Sequence, residues 1–368
     1  MSEPGSRTSP LHTIHVELGA KMADFGGWSM PIEYPGGGVV AEHKAVRERV
    51  GMFDVSHLGK AMVRGEGAAD YVNSALTNDL RRIGPGQAQY TMCCNADGGV
   101  VDDLIVYLVS EQEVFLIPNA ANTSGVVAAL AESAPAGIEV QDAHVDYAVI
   151  AVQGPDSPQV VGSLGLPTDH PFMSFVQTRW QGVPVWVCRT GYTGERGYEL
   201  LPRSQDAAAL WTALMGALKE HDGKPCGLGA RDTLRTEMAY ALHGQDLSPQ
   251  ITPVMARAGW AVGWDKPAFW GKEALSGQRA EKSGPLARGL LVTGRGIPRA
   301  GCTVSSAGGK DVGTVTSGTF SPTLKQGIAL ALLDRGTTVG DEVSIDVRGR
   351  AVPAEVVAPP FVQAKTTD

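Results

Sequence analysis

The sequence contains no apolar run approaching the roughly 20 residues that a membrane-spanning helix requires, and no low-complexity tract. Its start, MSEPGSRTSP, has neither the hydrophobic stretch of a secretory signal nor the Arg-rich amphipathic pattern of an import peptide. A cytoplasmic protein is expected, with a frayed tail up to about Pro10. Basic residues are outnumbered, 31 Lys and Arg against 39 Asp and Glu, and the net charge of −8 argues against nucleic acid or an anionic membrane as partner. Cysteines number only five, and two of them, Cys93 and Cys94, are neighbours, a strained geometry for a disulfide. All five are expected to be reduced core residues.

Familiar site motifs are missing too. AGGKD around Lys310 has Val304 where a phosphate-binding loop needs its first glycine. GGGVVA from Gly36 follows Tyr-Pro rather than a strand, which removes the context of a dinucleotide fingerprint. The eight histidines form no HExxH pair and the cysteines no CxxC set, so no metal site is expected. GWSMP around Ser29 lacks the second glycine of a nucleophile elbow.

The chain has 368 residues, 43% of them hydrophobic and 19% charged; at roughly 150 residues per domain it should fold as two or three domains. Helical spacing appears in VVAEHKAVRERVG, with Gly51 as its stop, in GAADYVNSAL, in DAAALWTALMGAL and in ARDTLRTEMAYAL. AQYTMCC, VVDDLIVYLV and EVFLIP read as a β-meander with turns at NADGG and SEQE, and VPVWVC and YELLP as a hairpin around RTGYTGERG. SGQRAEKSGP reads as a linker. Alternating short strands from Leu286 to Val357 imply a separate all-β domain. Strands and helices without regular βαβ alternation indicate an α+β fold.

Asp102 and Asp103 are the anomaly, because they stand inside an otherwise apolar strand, where a desolvated carboxylate costs several kcal/mol unless paired. Strand alternation places them on opposite faces. Asp103 shares a row with Val101, Ile105 and Tyr107, and Asp102 with Leu104, Val106 and Leu108. Spacing alone does not say which faces a pocket; one acid solvated and the other structurally paired is an equal reading. In RTGYTGERGYEL, Gly191, Gly194 and Gly197 permit close backbone approach, and Tyr192 and Glu199 are placed to stack on and bond a planar molecule; an ordinary long hairpin loop competes. Arg231 falls in the first turn of a helix, where guanidinium and free N–H groups together suit a carboxylate. An ion pair with Asp232 or another acid suits it equally.

In order, VELGAKMADFGGWSMPIEY, GMFDVSHLGK, GGVVDDLIVY, NAAN, AVQGP, RTGYTGERGYEL, GLGARDTLRTEMAYALHGQD and SGTFSPTLKQGIALAL resemble the aminomethyltransferase (T-protein) family of the glycine cleavage system. The resemblance runs from about Leu11 to Phe361. It implies a three-domain cloverleaf of antiparallel sheets flanked by helices, with a C-terminal jelly-roll-like β-domain, around a central folate channel. The implied division is 1–51 with 148–275, 52–147, and 276–368. The implied reaction passes the carbon of an aminomethyl group from the lipoyl arm of the H-protein to tetrahydrofolate, releasing ammonia.

Residue by residue, the resemblance makes Asp103 the functional acid and Asp102 structural. Glu199 is similar to the residue holding the pterin edge, Tyr192 to the tyrosine near the ring, and Tyr90 to another channel-lining tyrosine. Arg231 is expected to meet the folate's glutamate tail, and Asn119 to form part of the pocket wall. Leu58 stands where methionine is usual, a volume-conserving change. PPFVQAK replaces the usual PFY-type ending, so the tail receives no ligand role. A noncatalytic folate-binding module is the competing reading; the cysteine segment KGCYxGQE of the iron–sulfur assembly relatives is missing here.

Overall fold

The computed structural model describes residues 6–367. Two antiparallel-dominated sheets form its centre. The first orders Phe175–Trp180, Val183–Cys188, Gly197–Pro202, Ile150–Gln153, Gly51–Asp54 and Lys224–Cys226 side by side. The second orders Gln87–Cys94, Val100–Ser110, Glu113–Ile117, Ala61–Arg64 and Glu139–Asp142. Their inner faces pack on one another: Met62, Tyr107 and Phe115 of the second sheet share a core with Phe53, Phe175 and Trp186 of the first.

Both outer faces are covered as well. Helices Ala68–Ala75 and Thr123–Ser133 bury Leu104, Val106 and Leu108, and helices Ser157–Ser163 and Ala207–Glu220 cover the other sheet. A sheet buried on both sides needs apolar residues at every position, which is why VVDDLIVYLV is nearly continuous rather than alternating. The expected hairpin, the meander and the four expected helices all form, with shifted ends: the first helix runs Gly38–Glu48, and Gly51 opens a strand instead of ending the helix.

Leu286–Val292, Gln326–Leu333, Asp311–Ser321, Thr303–Ser306, Glu342–Val347 and Arg350–Val357 close into a six-stranded antiparallel barrel. The all-β expectation beyond Leu286 takes this form. All five cysteines are free. Among the described residues, no helix is long and apolar enough to cross a membrane.

Two expectations are corrected. The tail is ordered well before Pro10: Arg7–Thr8 pairs in parallel with Trp28–Ser29, and Ser9 is buried against the Asp54 carboxylate. Residues 1–5 of that stretch lie outside the described residues. SGQRAEKSGP is mostly not a linker, because the helix Lys272–Glu281 runs through it and buries Leu275 against Met92 and Val100.

Helix Leu228–Glu237 also ends five residues before the expected Leu242. Ala239 adopts a left-handed backbone, φ 55°, while the Ala239 and Tyr240 N–H groups close onto the Thr236 and Arg235 carbonyls. That is the double hydrogen bond of a helix C-terminus in which glycine is usual. It turns the segment from Tyr240 onward back toward the strand that carries the two acids.

Candidate functional site

The strand Val100–Ser110 loses one neighbour where its acids begin. Its ladder with Glu113–Ile117 stops at the Ile105–Ile117 pair, and the chain leaves through Pro118 to Asn119. Asn119 then fills the open edge. Its backbone N–H donates to Asp102 Oδ2 at 2.9 Å, and its side-chain nitrogen donates to Asp102 Oδ1 at 2.8 Å, the Asp103 carbonyl at 2.9 Å and Asp103 Oδ1 at 2.9 Å. Asn122, one residue before helix Thr123–Ser133, adds a bond to Asp102 Oδ1 at 2.7 Å.

Strand alternation holds, but neither acid is solvated as a strand-end residue would be. Asp102 is fully buried on the helix-covered face, and Asp103 is half-buried on the face toward the other sheet. Tyr90 stands on the same face, diagonal to Asp103 across the Met92–Asp103 pair. Its hydroxyl donates to Asp103 Oδ2 at 3.0 Å. Burial raises the pKa of both acids: Asp102 reaches about 7, with the Asp103 charge adding to the effect, while the hydrogen bonds from Tyr90 and Asn119 partly restrain Asp103. Two adjacent carboxylates in this setting favour holding a proton or facing a cation.

Tyr192 lies within the electrostatic reach of Asp103. Its hydroxyl donates to the Ala241 carbonyl, its ring stacks on Tyr240 at 5.7 Å, and the Arg231 guanidinium sits 4.5 Å from its ring centroid. The ion pair weighed between Arg231 and Asp232 is not made; Arg235 takes Asp232 at 2.8 Å instead. Among the described residues no carboxylate pairs with Arg231, although burial lowers its pKa and Glu199 supplies the largest opposing charge. A desolvated cation without a counter-ion is suited to an anionic ligand.

Glu199, on strand Gly197–Pro202, is buried and accepts the Thr190 hydroxyl at 2.5 Å through Oε2, while Thr190 also meets the Tyr107 hydroxyl at 3.2 Å. Tyr90, Asp103 and Asn119 are thus joined by hydrogen bonds, and Tyr192, Arg231 and Glu199 by stacking and charge.

Two local readings are corrected. Gly191 and Gly197 make room for a protein side chain rather than for an open approach: a Cβ at either would fall 2.1–2.3 Å from the Gln153 amide, and one at Gly194 would fall 2.2 Å from Met238 Sδ. The start of helix Leu228–Glu237 is not an open anion cradle either. Arg231's own N–H is bonded to the Gly227 carbonyl at 3.3 Å, and the Gly227 N–H takes the Glu42 carboxylate at 2.9 Å. The Arg231 guanidinium takes part in neither of these bonds.

The sequence reading gave no role to Asn122, His243 or Trp260. Trp260 stacks on Tyr90 at 5.3 Å while remaining 67% exposed, and AGWAVGW carries no pattern that separates it from a core tryptophan. Among the described residues, no group of three or more His, Cys, Asp or Glu is placed to hold a metal ion.

Residues 11–266 match the GCVT N-terminal domain, and residues 287–363 match the glycine cleavage T-protein C-terminal barrel domain. The chain belongs to the glycine cleavage T-protein family. The aminomethyltransferase of Frankia alni is 65% identical over 356 residues, covering 97% of this chain and 98% of that one. That of Mycobacterium avium is 58% identical over 359 residues, covering 97% of each. The crystal structure of the glycine cleavage system aminomethyltransferase T from Bartonella henselae superposes with a TM-score of 0.92 at 32% identity, covering 98% of this chain and 99% of that one. The α+β class expected from the sequence agrees with this likeness, as does the family that its eight motifs suggested.

Proposed function

We propose that this T-protein family member moves the carbon of an aminomethyl group from the lipoyl arm of the H-protein to tetrahydrofolate, with release of ammonia. Its proposed compartment is the cytoplasm. Tetrahydrofolate supplies the nitrogen nucleophiles that accept the carbon. The observation that carries the reading is the pairing of a half-buried carboxylate held by two donors with an arginine that makes no ion pair with a carboxylate among the described residues.

Positive charge develops where the carbon leaves sulfur and ammonia departs. Asp103, held at a fixed orientation by Tyr90 and Asn119, stabilises that charge and can hold a proton on the oxygen nearer the reacting nitrogen. Preorganised by those two donors, the carboxylate acts without having to reorient at the moment of reaction. Glu199 has one oxygen engaged by Thr190, which fixes the carboxylate plane toward the N–H edge of a pterin. Arg231 receives the glutamate carboxylate of the folate, with Tyr192 as a platform beneath it.

We further propose three structural units close to 1–51 with 148–275, 52–147, and 276–368. The first break is better set after strand Gly51–Asp54 and the last after helix Lys272–Glu281, since breaks at 51 and 275 divide a strand and a helix.

The test is turnover of aminomethyl-loaded H-protein with tetrahydrofolate, followed by ammonia release, for wild type, Asp103→Asn and Asp102→Asn. Loss of turnover on the Asp103 change is expected. Loss on the Asp102 change with Asp103→Asn fully active would overturn the assignment, and folate binding without any ammonia release by the wild type would make the chain a binding module.

A further inference from the structure

The scheme above leaves His243 unused, yet its ring is wired to both acids. It lies in the segment that the left-handed Ala239 turns back toward the sheet. Its Nε2 meets the Val100 carbonyl oxygen at 3.0 Å, and its Nδ1 meets Asn122 Nδ2 at 2.9 Å. Val100 opens the strand that carries Asp102 and Asp103.

With Asp102 ionised, only one distribution of protons satisfies these contacts. A carbonyl oxygen accepts and never donates, so Nε2 carries the hydrogen. Asn122 Nδ2 also donates to Asp102 Oδ1 at 2.7 Å; flipping that amide would set its oxygen against a carboxylate oxygen. Nδ1 must then be the acceptor. The chain of bonds continues from Asn122 to Asp102, from Asp102 to the Asn119 amide, and from Asn119 to Asp103.

The same segment is held from its other side. The Tyr192 hydroxyl donates to the Ala241 carbonyl, and Arg235 Nη1 donates to the Tyr240 carbonyl at 3.3 Å. The Leu242 N–H donates to Asp246 at 2.9 Å. The residues 240–243 therefore join the tyrosine under Arg231 to the strand of the acids.

We propose that His243 is a positioning residue: as the Nε2–H tautomer it fixes Asn122, and through Asp102 and Asn119 it sets the orientation of the Asp103 carboxylate. This rests on Asp103 being the catalytic acid. His243 touches neither substrate nor the reacting carbon in this scheme, so its loss should act on the rate of the chemical step and leave folate binding alone.

The experiment compares kcat and the KM for tetrahydrofolate, with loaded H-protein, in wild type, Asp103→Asn, His243→Ala, His243→Asn, Asn122→Ala and the Asn122→Ala, His243→Ala pair. Asparagine can present an oxygen close to where Nδ1 stands, so it preserves the acceptor for Asn122. His243→Ala is expected to lower kcat by roughly ten- to a hundredfold, the scale of a small misplacement of a reacting group. KM should stay within about twofold, since the residue contributes no folate contact. His243→Asn should recover most of the loss. Asn122→Ala should match His243→Ala, and the pair should be no worse than either alone, because both cut one chain.

A wild-type kcat in His243→Ala, with Asp103→Asn inactive, overturns the proposal and leaves the catalytic assignment standing. Full activity of Asp103→Asn instead removes the assignment on which it rests. Should His243→Ala fail to fold, Asn122→Ala decides: unchanged kcat there overturns the positioning role.

Discussion

Asn119 holds Asp103 through a single side-chain nitrogen, which donates to Asp103 Oδ1 at 2.9 Å and to Asp102 Oδ1 at 2.8 Å. A donor shared by two neighbouring carboxylates offsets part of their mutual repulsion and favours the ionised form of each. Removing it must raise the Asp103 pKa further, because burial already pushes that carboxyl up. If ionised Asp103 is the working form, Asn119→Ala should move the acid limb of the kcat/KM profile to higher pH. It should also lower the plateau by roughly a hundredfold through lost orientation. A pH–rate series with loaded carrier reads both effects; an unmoved acid limb would separate Asn119 from the function of Asp103.

Arg231 is the next prediction. Its guanidinium lies over Tyr192 with no carboxylate partner among the described residues, so an anionic ligand gains a desolvated contact there. Arg231→Ala should weaken tetrahydrofolate binding by on the order of 2–4 kcal/mol. Arg231→Lys should recover only part, since an ammonium keeps the charge but loses the planar stack. Titration calorimetry decides, and unchanged affinity in Arg231→Ala excludes it as the tail anchor.

Gly194 tests the loop. Its φ is +78°, and a Cβ would meet Met238 Sδ at 2.2 Å; its carbonyl also receives the Lys365 N–H at 2.7 Å. Gly194→Ala should cost on the order of 1–3 kcal/mol from backbone strain alone, and it should weaken folate binding by displacing Tyr192 two residues away. A thermal midpoint and a folate affinity equal to wild type would show that the loop absorbs the change elsewhere.

Local pattern carried much of this structure. The alternation rule separated Asp102 from Asp103 because side chains must alternate along any strand, and the apolar run marked a buried strand without saying what covers each face. Strands beyond Leu286 were legible because a small barrel needs turns at short intervals. The glycine loop was seen but misread, since spacing shows that room is needed and not that Gln153 and Met238 occupy it. The helix Lys272–Glu281 was hidden by its polar composition: only Leu275 among its residues is fully buried, too little for a periodic signal. Asn122 and His243 were invisible for a different reason. They are 121 positions apart and meet only through tertiary packing, so no window of sequence contains their relationship.

The loop Val55–Lys60 supplies a pH prediction away from the chemistry. Lys60 is fully buried and donates to the carbonyls of Ser56 and Leu58, both at 2.8 Å. Burial lowers its pKa to about 7, with Asp54, Asp142 and Asp146 pulling the other way. In the unfolded chain a lysine titrates near 10.4. Below about pH 7 both states carry the proton, so the folded state bears the whole cost of a buried ammonium. Between about pH 7 and 10 the unfolded chain binds more protons than the native one, and the stability contributed by this group rises with pH. Lys60→Met has no such term. The stability of wild type relative to Lys60→Met should therefore climb by a few kcal/mol from pH 6.5 to 9.5, roughly. Thermal midpoints of the two full-length proteins across that range measure it. A constant difference would mean that Lys60 stays charged at every pH tested, and that its two carbonyls together with the three aspartates fully offset the cost of burying it.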